Sequence, residues 1–342
     1  MGLGHIFFTA ANAVLPILLL ILLGFGLKKA GWLSGSFTKT GNKLVFKIFL
    51  PAMLFINVYD IDGISAIKWD VVLLVVAVIC LLFGLAVVIA VVTTPVPERR
   101  GVIAQCVYRS NYAIIGMPLA AALGGEEALA ITAVISAFSI PLYNFFAVIT
   151  LTMFLEGEGG KKRDFKAVLQ GIVTNPLILA VAAGFVVLGI RQLQTELFGE
   201  VFFSVKENLP FLYKAISNLK SIASPLALIV MGAQFEFSAV KGLFKEIAVG
   251  TVSRVVIAPI VGIGIAFLMS KYTDLVSCGV NEYPALVALY GSPVAVSSAV
   301  MAGQMGNDEQ LATQLVVWTS VFSIFTVFLT VCIMMPAGLL AV

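Results

Sequence analysis

The sequence predicts an all-α integral membrane protein of ten transmembrane helices, arranged as two inverted repeats of five helices each. The chain is 60% hydrophobic and only 11% charged, with a mean hydropathy of +1.07, whereas soluble domains carry about 25% charged residues. Apolar stretches long enough to cross a bilayer, about 20 residues each, recur along the chain. Two of them, one in each half, are interrupted near their centres by polar residues, glycine and proline.

The ten apolar stretches account for most of the chain. The second and the seventh are the least apolar, and each holds a proline, Pro51 and Pro225. Gly24, Gly26 and Gly184 are expected to let neighbouring helices approach closely. The predicted spans lie near residues 7–28, 40–59, 71–94, 100–123, 128–155, 167–190, 212–235, 247–270, 280–305 and 310–341.

The two halves match in several places, which predicts an internal repeat. Pro16 and Pro176 are followed at the same interval by a Gly-Phe pair, and similar Glu-x-Leu-Ala segments at 127–130 and 309–312 follow the two interrupted spans. Because five is an odd number of spans, the two halves must have opposite orientations in the membrane. The predicted units are a first repeat, a short cytoplasmic link and a second repeat, at residues 1–156, 157–166 and 167–342.

The distribution of Lys and Arg predicts the orientation of the spans. The loops on one side, including the central segment 156–166, carry roughly twice as many basic residues as the loops on the other side. Since basic loops stay in the cytoplasm, both termini are expected outside the cell (plasma or inner) membrane. This topology accounts for the small net charge of +3, so no nucleic-acid partner is indicated.

The interrupted spans four and nine form the predicted functional centre. Lipid tolerates unpaired backbone groups only where protein or a water-filled cavity satisfies them. Matching breaks in two repeats are typical of transporters whose substrate site lies where the broken helices cross. The predicted substrate-binding residues are Arg109, Ser110, Asn111, Tyr112, Tyr290, Gly291, Ser292, Pro293 and Ser297. The residues predicted to break the helices are Asn111, Gly116, Pro118 and Pro293.

Two registers relate the breaks to each other. Aligning the Gly-x-Pro sequences at 116–118 and 291–293 gives one of them. Aligning the Glu-x-Leu-Ala segments that follow gives the other, which aligns Asn111 with Pro293, next to Val294. We favour the second register because it matches the longer stretch. It predicts that Asn111 and Pro293 lie close together near the middle of the bilayer.

The polar side chains of the centre each have more than one interpretation. Asn111 either contacts the substrate or gate, or forms a hydrogen bond between helices. Arg109 either binds a carboxylate with its planar fork, caps the last carbonyls of its own half-helix, or snorkels. The Ser297 hydroxyl either binds substrate or satisfies freed backbone groups. Arg254 in span eight is expected to snorkel or to form a structural pair. Half-helix N-termini attract anions, so the predicted ligand is a small organic anion.

Several classes of function lack the residues that they need. Spans four and five carry no acid between Gly101 and Gly125 or between Ala128 and Leu155, so the buried carboxylates of a cation–proton antiporter are missing. No protease motif is present, and the four cysteines share no metal-ligand spacing. We therefore predict no enzyme, no cofactor and no metal site. Coupling is then absent, or it uses a cation held by backbone carbonyls.

Several segments resemble the auxin efflux carrier family, which includes plant auxin exporters and bacterial permeases named for malate or malonate. Residues 111–119 resemble the family's Asn-x-x-x-x-Gly-x-Pro-Leu in the fourth span, and residues 50–55 resemble its Leu-Pro-Ala-Leu-Leu-Phe in the second. Residues 224–228 are similar to its seventh span, and Pro293 is similar to a proline of its ninth. Where the plant exporters carry Pro before the fourth-span Asn, this chain carries Ser110.

The resemblance implies a fold related to bile-acid symporters. A scaffold would consist of spans 1, 2, 6 and 7, and a mobile transport domain of spans 3–5 and 8–10. The broken spans would cross in the transport domain and hold the substrate, and this domain would move against the scaffold as an elevator. We therefore expect a secondary carrier of a small organic anion, in the first instance a carboxylate, that works in the lipid bilayer; a homodimer is a possible assembly. The alternative is a membrane-embedded ligand sensor that kept the carrier fold without flux.

Overall fold

Helices joined by loops make up the part of the chain that the structure describes. The computed structural model describes residues 3–60, 68–155, 174–236 and 238–340. Within these residues the β-structure is limited to one isolated bridge. The helices are α1 Leu3–Lys29, α2 Gly35–Tyr59, α3 Trp69–Thr93, α4 Pro97–Tyr108, α5 Tyr112–Met153, α6 Pro176–Phe198, α7 Val205–Asn208, α8 Pro210–Gln234, α9 Ala239–Tyr272, α10 Glu282–Gly291, α11 Ser297–Gln304 and α12 Glu309–Met334.

Seven helices in the described ranges are long and apolar enough to cross a membrane, namely α2, α3, α5, α6, α8, α9 and α12. They include α2 and α8, which correspond to the two least apolar predicted spans. Large apolar side chains point outward from these helices, such as Val92 with 78% and Phe211 with 73% of their surface exposed. Proteins that face water rarely expose so much contiguous apolar surface. The described helices therefore have the lengths and the outer surface of a multi-pass membrane protein.

The predicted spans four and nine are each divided between two helices. Span four comprises α4 and the beginning of α5, and span nine comprises α10 and α11. Helix α5 is itself interrupted where predicted spans four and five meet. There Gly124 (φ −145°, ψ 15°) and Gly125 (φ 67°, ψ −155°) leave the helical conformation. The positive φ of Gly125 is accessible to glycine without the steric penalty that a Cβ would bring.

Three helices contain a π-turn, and a proline follows each turn at the same position. The turns are Val45–Phe49 in α2, Tyr112–Gly116 in α5 and Ser253–Ile257 in α9, and the prolines are Pro51, Pro118 and Pro259. A proline has no N–H, and in a regular α-helix its ring clashes with the carbonyl four residues earlier. A wider turn relieves that clash. π-turns within helices often lie at functional sites, and the turns in α5 and α9 both adjoin the helix breaks.

Helices α1, α2, α6 and α8 pack together as a first group. Helix α1 lies along α8 in a reciprocal contact, in which Gly24 faces the backbone of Ile229 and Gly232 faces the backbone of Ile21. A Cβ on either glycine would overlap the facing carbonyl oxygen. Helix α2 lies along α6, where Gly184 contacts it, and also against α8. The expectations for Gly24 and Gly184 are thus confirmed.

The other long helices and the broken helices form a second group. Helix α4 packs against α3 and α5, α10 packs against α5, and α12 packs against α9 and α11. At one end of this group, Arg99 of α4 forms ion pairs at 2.9 Å with Glu246 of α9 and with Asp308, the N-cap residue of α12. At the other end Lys68 pairs with Glu282 at 2.5 Å, and the hydrogen bond that Lys68 donates to the Glu282 carboxylate raises the pKa of Lys68. Charged contacts therefore join the second group internally.

Amide side chains join the two groups at the end where Arg99 lies. The Asn42 amide of α2 donates hydrogen bonds to Gln234 of α8 at 3.1 Å and to the carboxylate of Glu309 at the start of α12. Among the residues with described side chains, no ion pair links the first group to the second. The two groups therefore meet through amide hydrogen bonds and through the packing of α1 on α12, whereas the ion pairs lie within the groups.

Candidate functional site

The break between α4 and α5 lies directly against the break between α10 and α11. Ser110 pairs with Val294 in an antiparallel bridge, and the Asn111 N–H donates to the Pro293 carbonyl oxygen at 2.8 Å. Backbone groups that one break leaves free are thus satisfied by the other, as a membrane interior requires. The prediction that Asn111 and Pro293 lie close together is confirmed.

Non-helical backbone makes the breaks, over residues 109–111 in the first and 292–296 in the second. Extended conformations begin both segments. Arg109 has φ −86° and ψ 116°, and Ser292 has φ −65° and ψ 148°. A residue before proline is biased towards this conformation, which accounts for Ser292. The prediction that Gly116 and Pro118 break the helix is wrong, because both lie inside α5. Gly116 ends its π-turn, and Pro118 is the second residue of the α-helical segment that follows, where the π-turn removes the usual clash.

Arg254 of α9 binds the ends of both first half-helices. Its side chain is fully buried, and its guanidinium donates to four backbone carbonyls, those of Ser292 at 2.8 Å, Leu289 at 3.0 Å, Tyr290 at 3.1 Å and Val107 at 3.2 Å. Such carbonyls at a helix C-terminus lack partners within the helix. The snorkelling interpretation of Arg254 is therefore wrong, and its role is structural.

A small cavity lies on the opposite side of the crossing, where α5 and α11 begin. It encloses about 40 Å³, which is room for only a few water molecules. Helices of both groups form its wall, with α2, α6 and α8 on one side and α5 on the other. The polar residues of the wall are Arg109, Ser110, Asn111, Tyr112, Tyr143, Asn144, Ser224 and Ser297.

Three buried polar atoms in this wall have no hydrogen-bond partner. They are Ser110 Oγ, Asn111 Nδ2 and Tyr143 OH, and their residues are only 5%, 4% and 2% exposed. Buried polar groups are nearly always bonded, and one left unpaired costs about 1–3 kcal/mol. Three such atoms around one cavity mark a place where a polar ligand or water would bind.

Arg109 is 2% exposed, and its guanidinium contacts only neutral acceptors. Nη1 donates to Gln105 Oε1 at 3.2 Å and to Met301 Sδ at 2.9 Å, while Nη2 donates to Asn144 Oδ1 and Ser297 Oγ, both at 2.8 Å. No ion pair among the described residues neutralises this charge. Because all of these bonds go to side chains and none reaches a backbone carbonyl of the half-helix, and because the side chain is buried, the capping and snorkelling interpretations of Arg109 are wrong.

The predicted substrate-binding residues divide between the two sides of the crossing. Those that line the cavity are Arg109, Ser110, Asn111, Tyr112 and Ser297. Those that lie outside its wall, at the end of α10 and in the break that follows, are Tyr290, Gly291, Ser292 and Pro293. The Ser292 hydroxyl donates to the Ala288 carbonyl at 2.6 Å, so its hydrogen bond goes to a backbone group of α10.

Sequence reasoning missed the contributions of α2, α6, α8 and the later part of α5 to the cavity. Asn144 of α5 is a lone amide in an apolar stretch just after Pro141, and this signal could have identified it. Tyr143, Leu50 and Ala227 carry no such signal. Their contribution depends on how α2, α5 and α8 pack around the breaks.

The electrostatics of the cavity favour an anion. Helices α5 and α11 begin at its wall, and the N-terminus of a helix carries roughly half a positive charge. Arg109 adds a full positive charge to the same wall. Within the described ranges no group of three or more His, Cys, Asp or Glu residues is placed to hold a metal ion.

Comparison with known proteins identifies the class to which this chain belongs. The family described as Membrane transport protein matches residues 9–331. An uncharacterized transporter of Methanothermobacter thermautotrophicus is 24% identical over 329 residues, which cover 93% of this chain and 96% of that protein. An uncharacterized transporter of Methanocaldococcus jannaschii is 26% identical over 322 residues, with the same coverage of 93% and 96%. Because the family match spans nearly the whole chain, this protein belongs to the membrane transport protein family, which includes the auxin efflux carriers.

Proposed function

We propose that this transporter is a secondary carrier of a small organic anion. The favoured kind of anion is a carboxylate, and it binds in the cavity beside the crossing. The observation that carries the proposal is the buried charge of Arg109, whose partners are all neutral. An arginine at the centre of a membrane costs roughly 2.5–3.5 kcal/mol on insertion scales. An anionic ligand would supply the missing counter-charge.

The unpartnered atoms of the wall suit the same ligand. Asn111 Nδ2 is a hydrogen-bond donor, and the hydroxyls of Ser110 and Tyr143 can donate as well. A carboxylate accepts hydrogen bonds from all three, whereas an organic cation would meet donors and a like charge. The positive ends of the α5 and α11 helix dipoles add to the preference for an anion.

Substrate passage requires the two groups of helices to separate. The 40 Å³ cavity is smaller than an organic acid needs, and the two groups supply opposite walls. We assign the first group, α1, α2, α6 and α8, to a scaffold, and the second group to a transport domain of spans 3–5 and 8–10. Alternating access then follows from movement of the second group against the first, as an elevator.

The proposed architecture is the ten-span inverted repeat, with units at 1–156, 157–166 and 167–342 and with both termini outside the cell membrane. The internal ion pairs of the second group support its movement as one body. The amide contacts between Asn42, Gln234 and Glu309 support a boundary at which the two groups can part.

A ligand panel tests this function. Carboxylates, their uncharged amides and amines of similar size would be compared by thermal stabilisation of the purified protein, followed by uptake of each hit into liposomes. We expect carboxylates to stabilise the protein and to be taken up, and Asn111→Ala to weaken both effects strongly. The matched control is Asn218→Ala, which changes an exposed residue of α8.

Two results would contradict the proposal. Stabilisation by amines and not by carboxylates would refute an anion site. Stabilisation by a carboxylate without any uptake, with the protein correctly inserted, would favour the sensor alternative over the carrier.

A further inference from the structure

Four backbone carbonyl oxygens surround one place in the crossing, and the Arg254 guanidinium occupies that place with its three nitrogens. They belong to Val107, Leu289, Tyr290 and Ser292, at 2.8–3.2 Å from the guanidinium nitrogens. Rings of carbonyl oxygens stripped of water are the ligands with which channels and carriers hold monovalent cations. The chemistry of this point is therefore that of a cation site.

The partial negative charges of the helix ends at this place also favour a cation. The C-terminus of a helix carries roughly half a negative charge, so the ends of α4 and α10 together balance about one positive charge. No carboxylate within the described ranges forms an ion pair with Arg254. The two helix ends are thus its counter-charge.

The cation is fixed because it is covalently attached. Arg254 lies in the Ser253–Ile257 π-turn of α9, and it is completely buried. Helix α9 packs against α4 and α10, so the guanidinium stays with the helices whose ends it binds. A free ion at this place could enter on one side of the membrane and leave on the other, whereas Arg254 cannot.

Given the carrier function proposed above, we infer that Arg254 is a built-in monovalent cation that replaces a coupling ion at the helix crossing. Binding and transport of the substrate then need no Na⁺ or K⁺ at this position. Removal of the side chain uncovers a site of four carbonyls that accepts a free guanidinium ion.

The binding part of this inference is tested without any transport substrate. The unfolding temperature of the purified wild type would be measured in NaCl, KCl and choline chloride at equal ionic strength. We expect the same value in all three. A saturable rise with Na⁺ or K⁺ would show an open cation site, and it would overturn the inference even if no variant of Arg254 could be purified.

Chemical rescue is the second measurement. Arg254→Ala should unfold at a lower temperature than the wild type, and millimolar methylguanidinium should restore much of the loss with a saturable dependence. Wild-type protein should not respond. Arg254→Lys keeps one charge but offers three donors to four carbonyls, so we expect an intermediate unfolding temperature with a weaker response.

Arg100→Ala is the matched control. Arg100 donates to a single carbonyl, that of Thr94 at 2.8 Å, and it is only partly buried, so water can replace it and methylguanidinium should have no effect. An Arg254→Ala protein with wild-type stability, or one that ignores methylguanidinium, would refute the inference. Once a substrate is known, faster wild-type uptake in sodium than in choline medium would refute its transport part, while the substrate site would stand.

Discussion

Two buried arginines with different partners distinguish the two sides of the crossing. Arg254 donates only to backbone carbonyls at the ends of half-helices, whereas Arg109 donates only to side chains beside the cavity. The first charge is balanced by helix dipoles, whereas the second has only neutral partners among the described residues. The direction of the half-helices therefore decides which arginine binds the helix ends, and under the proposed function the other arginine is the one that a ligand would meet.

Asn111→Ala should weaken substrate binding without destabilising the ligand-free protein. The backbone N–H of residue 111 keeps its bond to Pro293, and the lost Nδ2 has no partner to lose. A hydrogen bond to a charged ligand contributes roughly 1.5–3 kcal/mol, so the dissociation constant should rise by about one to two orders of magnitude. Titration calorimetry and thermal unfolding would measure the two quantities. Wild-type affinity in this variant would exclude Asn111 from the site.

Arg109→Gln should discriminate between a substrate anion and its uncharged amide. If the guanidinium neutralises a carboxylate, the anion should bind much more weakly, while the amide should lose far less affinity. Arg109→Lys keeps the charge without the fork, so partial recovery would indicate simple charge and no recovery would indicate geometry. An unchanged dissociation constant for the anion in Arg109→Gln would reject the charge-neutralising role.

At this scale, sequence reasoning singled out polar residues that the structure places in the cavity wall, but it did not identify their hydrogen-bond partners. Arg109 and Asn111 stood out because polar groups are expensive at membrane depth. From the sequence, a helix-capping role was one interpretation of Arg109, because this residue adjoins a helix break. Arg254 makes those bonds instead, and the approach of α9 to α4 and α10 that permits them is tertiary packing without a local signal.

At the scale of elements, the first group depends on one reciprocal glycine contact. Gly24→Ala should lower the free energy of unfolding by roughly 1–3 kcal/mol, the usual penalty of overpacking, because its Cβ would overlap the Ile229 carbonyl. Gly26→Ala is the control in the same helix. The expectation that Gly26 packs closely is wrong, since it faces open space. Equal unfolding temperatures for the two variants would contradict the contact.

Helix breaks were predictable in position but not in mechanism. Proline and glycine in an apolar span indicate an interruption of the helix, and the interruption predicted at Pro293 is present. It was wrong for Pro118, because the π-turn of α5 accommodates the ring within a continuous helix. In the first break, extended backbone at Arg109 is held by pairing with the second break. Such pairing between distant segments leaves no trace in local sequence.

At the scale of the molecule, the contact of Asn42 with Gln234 and Glu309 should hold the present arrangement of the two groups. Asn42→Ala should therefore let them separate more often. In a background without the four native cysteines, a Ser224→Cys reporter in the cavity wall should react several-fold faster with a soluble thiol reagent. Asn218→Ala serves as the control. An unchanged labelling rate would mean that this contact does not govern opening.

The charge bias of the loops predicts the orientation of the whole chain. Epitope tags at the N-terminus and the C-terminus should both be accessible to antibody in intact cells, because the basic loops belong in the cytoplasm. A tag in the central 156–166 segment should be reached only after permeabilisation. Protection of either terminus in intact cells would rule out the inverted repeat.

The class of the protein and its helical, multi-pass character followed from composition and hydropathy, because a bilayer restricts the choice of fold. The proximity of the two breaks was predicted from the matching segments of the two halves. The cavity did not, because much of its wall comes from apolar residues of α2, α6 and α8 such as Leu50, Leu177 and Ala227. Side chains of that kind occur in every span, and only the packing of the helices selects among them.

The crossing also has a consequence for the insertion of the chain into the membrane during synthesis. Val107 and Asn111 find their backbone partners in Arg254 and Pro293, which the ribosome adds long after the first break has entered the membrane. Until then these backbone groups must stay hydrated or be shielded by the insertion machinery, since lipid cannot form hydrogen bonds with them. In a nascent chain that stops before Arg254, the backbone groups of the first break would have no hydrogen-bond partners. We expect membrane proteases to degrade such a chain.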